Sequence, residues 1–386
     1  MVYSRAEGPR VLLLDASGLR AARAGQHSAE ELADVTQRAE QALSRGPFSV
    51  AFKRVPPPGG DVQDYVSLSI YWWPDPTTPG GLPYIRRDGV RNSEADDTSR
   101  YDASSLSHMV SDVEALTLAF YLTRDRRYGA HAAGLIRTWF LDPETRMDPS
   151  FRLAQIIPGH HEVRGTGIIE SRRFTRIVDS VALLRECSCW TDGDDEGLHA
   201  WFAAFENWLR TSQNGQLEDR TVNNHATWYD VQLADFALLA GNSAAAHRVL
   251  SAVGSRRIHE QIAPDGSMPR ELGRPNSLHY SYFNLQALCK LATLAKHVDI
   301  DLWSRSRDEE GSLRAALDYL TPYMLSPREW PHNQIADVDA FDEAGACLKR
   351  AAEAYPDSNY GDTLRILSAG RSVGERFRLR LGFWPD

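Results

Sequence analysis

The sequence predicts an all-α protein, an α/α toroid (an incomplete α/α barrel) built as a single domain over residues 1–386, and three observations predict it. From Ser104 onward, apolar residues recur at helical spacing in four long stripes. About ten such segments joined by short polar connections imply successive antiparallel helix pairs. No repeat of fixed length is present, which disfavours an open superhelical solenoid.

Each element has a local cause. Ser28-Ala-Glu-Glu31 is a capping box opening a helix with Leu32, Val35, Ala39 and Leu43 on one face, and Gly46-Pro47 ends it. A short strand-like run, Val11–Leu14, precedes it. Over residues 50–102, Pro56–Gly60, Pro74, Pro76, Pro79–Gly81 and Pro83 forbid long regular elements, yet Tyr71, Trp72, Trp73 and Tyr84 cluster there. A long aromatic-rich loop in a compact protein is expected to carry function, here as part of a binding cleft. The four stripes follow: Leu106, Met109, Val110, Val113, Leu116 and Phe120; Leu198, Phe202, Phe205 and Leu209; Leu278, Tyr282, Leu285, Leu288 and Ala292; Leu313, Leu317, Leu320 and Met324. Shorter helices are expected near 130–140, 174–186, 225–240, 243–252, 338–354 and 361–369.

Composition sets the outer limits. Of 386 residues, 42% are hydrophobic and 25% charged, which excludes disordered, collagenous and coiled-coil classes. A net charge of −9 and a pI near 5.8 argue against a nucleic-acid partner. They leave room for an anionic substrate, because a few Arg and His side chains make one cleft locally positive. No apolar run reaches the roughly 20 residues of a membrane span. Val11–Leu14 is too short for a signal-peptide core, so the expectation is a secreted or periplasmic protein in mature form, or a cytoplasmic one. Cys187, Cys189, Cys289 and Cys347 are too few for a disulfide scaffold and lack zinc-site spacing, so they read as buried thiols.

Three segments hold candidate chemistry. Thr221–Trp228 precedes an apolar helical stretch, where Asn224 and His225 can aim donors at an anion; the alternative is an Asn N-cap beside an incidental His. Asp265-Gly266 is a turn signal; Arg270 and Arg274 follow it in a loop, and Tyr280 and Tyr282 begin the next helix. Arg and His neighbours can stabilise a phenolate, although the arginines could instead pair with Glu271 while the tyrosines pack. The third segment, Gln155–Arg173, offers His160, Arg164 and Arg172 in a glycine-bearing loop. Gly165 and Gly167 follow no βαβ strand, so they are no dinucleotide fingerprint. No HExxH is present, the neighbouring His160 and His161 would point apart, and G-x-S-x-G is absent. Neither a metal nor any other cofactor is implied.

Taken in order, Asn223-Asn224-His225, Asp265-Gly266, Glu271-Leu272-Gly273-Arg274 and Tyr280 resemble the catalytic pattern of the alginate-lyase superfamily of polysaccharide lyases. The front half resembles polysaccharide lyase family thirty-eight more closely. The matching stretches are Tyr71–Pro76, Gly81–Gly89, Thr138–Pro143 and Gly165–Ile169. The resemblance implies an acidic polysaccharide substrate, either β-1,4-glucuronan or mannuronate-rich alginate, and no cofactor. It places Tyr280, His225, Asn224 and Arg274 in catalysis. Substrate contacts are expected from Tyr71, Trp72, Trp73, His160, Arg164, Arg172, Arg270 and Tyr282, with the two tryptophans equally suited to packing. Tyr280 matches across a one-residue gap, so Tyr282 is its rival, and residues 300–386 match no motif.

The implied reaction explains the residue types. The C5 proton of a uronate becomes removable once its carboxylate is neutralised, a task suited to Asn224, His225 and Arg274. In glucuronate and mannuronate the C5 hydrogen and O4 lie on one side of the ring, so one tyrosine can act as base and then acid. Its ordinary pKa of about 10 would have to fall beside cations. Two other readings remain: a glycoside hydrolase, needing a carboxylate pair roughly 5–10 Å apart, and a non-catalytic acidic-carbohydrate-binding protein.

Overall fold

The structure, a computed structural model, describes residues 8–57, 59–304 and 310–384. Helices dominate it, and its strands form only two two-stranded sheets among the described residues. The four stripes lie on helices Ala103–Thr123, Asp192–Thr211, Ser277–Ala295 and Leu313–Leu325, and every residue named in them is buried. The shorter helices appear as Arg126–Ile136, Phe174–Leu184, Asn224–Leu239, Ser243–Val253, Ala340–Ala354 and Tyr360–Ser368. The capping box at Ser28 forms in both directions, Ser28 N–H to Glu31 Oε2 at 2.7 Å and Glu31 N–H to Ser28 Oγ at 3.1 Å.

The packing divides into two compact units, one of Arg38–Thr221 with Leu239–Gly241, the other of the remaining described residues. In the first, helix Ala103–Thr123 packs on Arg126–Ile136 and Phe174–Leu184. Phe140, Phe151, Phe174, Trp201, Phe202 and Phe205 form a continuous aromatic core, with rings edge-on at 4.8 to 6.0 Å in several pairs. The proline-broken 50–102 region makes only short elements. Val66–Leu68 pairs in parallel with Leu153–Ile156, and Trp72–Trp73 pairs antiparallel with Ile85–Arg86. Val66, Leu68, Tyr84, Ala95, Tyr101 and Ile157 close a small core beneath them.

In the second unit, helix Ser277–Ala295 is the hub: it packs against Ser243–Val253, Pro269–Leu272, Leu313–Leu325 and Ala340–Ala354. Two expectations need correction. Val11–Leu14 is not a strand; Val11 and Leu13 bury their side chains while the Leu12 and Leu13 carbonyls accept from His297 and Arg350 side chains. Cys187 and Cys189 are joined in a disulfide, whereas Cys289 and Cys347 are buried thiols as expected.

Candidate active site

The Asn224 helix starts where the sequence places it, but its donors are committed differently from expectation. Glu271, 1% exposed, accepts the Asn224 backbone N–H at 2.7 Å and its Nδ2–H at 2.8 Å. Two donors read as available to an anionic ligand are therefore held within the protein. The Asn224 Oδ1 is buried without a partner. Facing a carboxylate, the side-chain amide must turn its nitrogen inward, so Glu271 fixes the orientation of Asn224. Burial raises the Glu271 pKa, opposed by both Asn224 hydrogen bonds and by the nearby charges of Arg274 and His225. Glu271, Asn224, His225 and Arg274 thus belong to one electrostatic cluster.

The loop that delivers Glu271 is built on a glycine. Gly266 adopts φ +86°, and a Cβ there would lie 2.0 Å from the Ala315 carbonyl oxygen. Asp265 closes the turn by accepting from Ser267 N–H at 2.9 Å. Pro269 then opens a short helix, Pro269–Leu272, rather than the expected loop. It points Glu271 inward and leaves Arg270 exposed. A buried amide network ties this region together. Gln261 Oε1 accepts from Thr227 Oγ1 at 3.0 Å and from Asn284 Nδ2 at 2.9 Å, and Gln261 Nε2 donates to the Asn223 carbonyl at 3.3 Å. Gln261 therefore links the start of the Asn224 helix to the helix that carries Tyr280.

Tyr280 lies in the first turn of Ser277–Ala295 at 9% exposure. The Arg274 guanidinium carbon sits 3.8 Å from its ring centroid, a close cation–π stack that favours negative charge on the phenol. The His279 ring meets Tyr280 edge-on at 5.2 Å, and His279 Nδ1 contacts Glu343 Oε1 at 2.8 Å. Tyr282, its rival, is fully buried with its hydroxyl unpartnered, and burial pushes its pKa far up. That is the environment of a core side chain, so its expected substrate contact is corrected.

The other unit carries its own polar and aromatic group. Tyr71, Trp72 and Trp73 are all half-buried. Trp72 packs on the small core and takes His160 edge-on at 4.9 Å, with the Arg164 guanidinium 5.9 Å from its centroid. Trp73 donates to the Val90 carbonyl at 2.9 Å beneath Arg87. His160 Nε2 contacts the Tyr84 carbonyl at 3.0 Å. Arg172 donates to the Ile169 carbonyl at 3.2 Å, which commits part of its fork to the backbone. Arg164 is different: it is half-buried, bonds Thr166 Oγ1 at 3.1 Å, and leaves its Nε buried without a partner. Burial lowers its pKa, reinforced by the charge of Arg86 and opposed by those of Glu162 and Glu218. Its loop is pinned by packing glycines, since a Cβ on Gly165 would lie 2.6 Å from Glu218 N and one on Gly167 2.4 Å from the Ala154 oxygen.

Sequence reasoning singled out neither the Glu271 clamp on Asn224 nor the His279–Glu343 pair. The partners lie 47 and 64 residues apart, and no local spacing announces them. Among the described residues no group of three or more His, Cys, Asp or Glu side chains could hold a metal ion, and no helix is long and apolar enough to cross a membrane.

The chain has the fold of known polysaccharide lyases, the α/α toroid. A crystal structure of an alginate lyase from Bacteroides ovatus superposes with a TM-score of 0.92 at 33% identity, over 97% of this chain and 99% of that one. Alginate lyase A1-III from Sphingomonas species A1 shares the fold at a TM-score of 0.58 and 13% identity, over 97% and 94% of the two chains. A variant of A1-III complexed with a tetrasaccharide gives 0.60 at 15% identity, over 96% and 94%. No curated protein matches the chain. The alginate lyase family model matches residues 49–330, and the chain belongs to that family: it is a polysaccharide lyase.

Proposed function

We propose that this lyase cleaves a β-1,4-linked polyuronate by β-elimination, with Tyr280 as base and acid. The observation that carries the reading is the Arg274 guanidinium stacked 3.8 Å from the Tyr280 ring centroid, beside the cluster of Glu271, Asn224 and His225. In this scheme His225, Arg274 and the remaining Asn224 N–H offset the uronate carboxylate, so that charge building at C5 is stabilised. The Tyr280 phenolate takes the C5 proton, the electron pair forms the C4–C5 double bond, and the C4–O4 bond breaks. The same hydroxyl then returns its proton to the leaving oxygen and is again a phenolate. Mannuronate-rich alginate is the leading substrate, because the relatives are named alginate lyases; the motifs of the front half also support glucuronan. We assign the sugar contacts to Tyr71, Trp72, His160 and Arg164. The Cys187–Cys189 disulfide supports a secreted or periplasmic location.

The test is ultraviolet absorbance of the unsaturated product on polymannuronate, glucuronan and polyguluronate. Tyr280→Phe should lower kcat by about 100- to 10,000-fold, the usual scale for a positioned acid–base group. Tyr282→Phe should leave activity intact and stability equal or slightly higher, since it removes an unsatisfied buried hydroxyl. New reducing ends without ultraviolet absorbance would make the enzyme a hydrolase and end this reading.

A further inference from the structure

Tyr280 belongs to a helix whose first turn is not capped by its own sequence. The first four N–H groups of any helix lack intrahelical partners. Here Asn276 occupies the cap position but makes no side-chain capping bond. The partners come instead from a segment more than fifty residues later. Ser277 N–H donates to the Asn333 carbonyl at 3.0 Å, and Leu278 N–H to Gln334 Oε1 at 3.0 Å, with His279 N–H 3.5 Å from the same oxygen.

The attachment is reciprocal. Asn276 Oδ1 accepts from Ala336 N–H at 3.1 Å and Gln334 Nε2 at 3.4 Å, and Ile335 N–H donates to the Pro275 carbonyl at 3.2 Å. Ser277 Oγ donates to the Asn333 carbonyl at 2.6 Å and accepts from Trp330 Nε1 at 2.8 Å. Trp330 is itself buried edge-on against Tyr323 at 4.8 Å and Tyr319 at 6.0 Å. The segment is therefore anchored at one end by an aromatic core and at the other by the backbone. Gln334 lies outside residues 49–330, the span of the family match.

We propose that Trp330–Ala336 is a strap that positions Tyr280, with Gln334 as its principal positioning residue. The proposal rests on Tyr280 being the reacting group. Gln334 touches no reacting atom; it holds the N–H groups of the two residues before Tyr280, and so sets where that turn stands. Its Nε2 also donates to the Ala336 carbonyl at 2.7 Å, which fixes the amide so that the oxygen faces the helix. A displacement on the scale of 1 Å at a reacting group costs about 100-fold in rate.

The test compares Gln334→Ala and Asn276→Ala with the parent enzyme on the polyuronate it cleaves. Both should lower kcat by about 10- to 100-fold with KM within about twofold, because the tyrosine is misplaced while substrate contacts persist. Far-ultraviolet circular dichroism should be unchanged. Gln334→Glu, which keeps an accepting oxygen at a helix N-terminus, should recover most of the rate lost by Gln334→Ala. Parent-like kcat in Gln334→Ala overturns the proposal, as does an equal loss in kcat and rise in KM. If Gln334→Ala does not fold, Asn276→Ala decides by the same criteria. Tyr280→Phe measured alongside separates the two ideas: an active Tyr280→Phe defeats the tyrosine mechanism, whereas a dead Tyr280→Phe with parent-like strap variants defeats only the strap.

Discussion

Replacing Glu271 by Gln changes one atom in the candidate site and separates its structural from its catalytic contribution. The carboxylate receives two hydrogen bonds from Asn224, at 2.7 and 2.8 Å, and is 1% exposed. Bonds to an ionised acceptor contribute roughly 1.5–3 kcal/mol each, against about 1 kcal/mol for neutral ones. A glutamine keeps one acceptor and turns an NH2 toward the other donor, so the Asn224 amide must rotate its oxygen to meet it. That rotation preserves two neutral bonds, and the neutral side chain escapes the burial cost that raises the Glu271 pKa. Stability should therefore change by no more than about 2 kcal/mol. The rate should suffer more, because Asn224 is now held the wrong way round and His225 and Arg274 lose their countercharge. A loss of roughly 1.5–3 kcal/mol in the transition state lowers kcat about 10- to 150-fold. Initial rates by ultraviolet absorbance, paired with thermal unfolding, measure both quantities on one preparation. A Glu271→Gln enzyme that turns over within about twofold of the parent would refute the idea that this clamp orients the site.

Two further outcomes are expected. Arg164→Ala should raise KM about tenfold with kcat retained, the effect of removing uniform binding, while stability holds because a partly desolvated cation disappears; unchanged KM would remove Arg164 from substrate binding. Asp102, whose Oδ2 lies 3.1 Å from Lys53 Nζ, has a pKa pushed up to about 6 by burial, with Lys53 and the Val66 N–H opposing. The native state therefore holds this proton more tightly than the unfolded chain. The stability it supplies is complete below pH 4 or so and is lost as the pH rises through about 6. Urea midpoints should show the parent losing on the order of 3 kcal/mol relative to Asp102→Asn over that interval, and a difference that stays flat with pH would contradict it.

The long helices are legible in the sequence because each buries a stripe three to four residues apart, and periodicity of that kind is a local property. The Asn224 helix is legible for a related reason: a polar string meets an apolar run. Short elements are less so. Val373–Arg380 is half charged and buries only Gly374 and Phe377, so no stripe announces it. The Val66–Leu68 strand takes its partner from Leu153–Ile156, a pairing that no hairpin turn signals. At the site, the sequence supplies Asn224, Arg274 and Tyr280 but not their couplings. Glu271 reads as a partner for neighbouring arginines, yet it is Asn224 that closes on it. Tyr280 and Tyr282 are indistinguishable as letters, and only the direction of each around the helix separates a ring beneath Arg274 from one sealed in the core.

Gly165 and Gly167 follow just after Arg164 and pack where no side chain fits, and Asn214 Nδ2 binds the Arg164 carbonyl at 2.7 Å. Backbone pressed on backbone leaves the loop little freedom to lose. If Arg164 binds the substrate as proposed, an anion arriving at its guanidinium meets a group whose main chain is already ordered, so the entropic penalty of association falls mainly on the ligand. Enlarging either glycine should weaken anion capture without touching a single charge, chiefly by restoring motion to a loop that folding has already stilled.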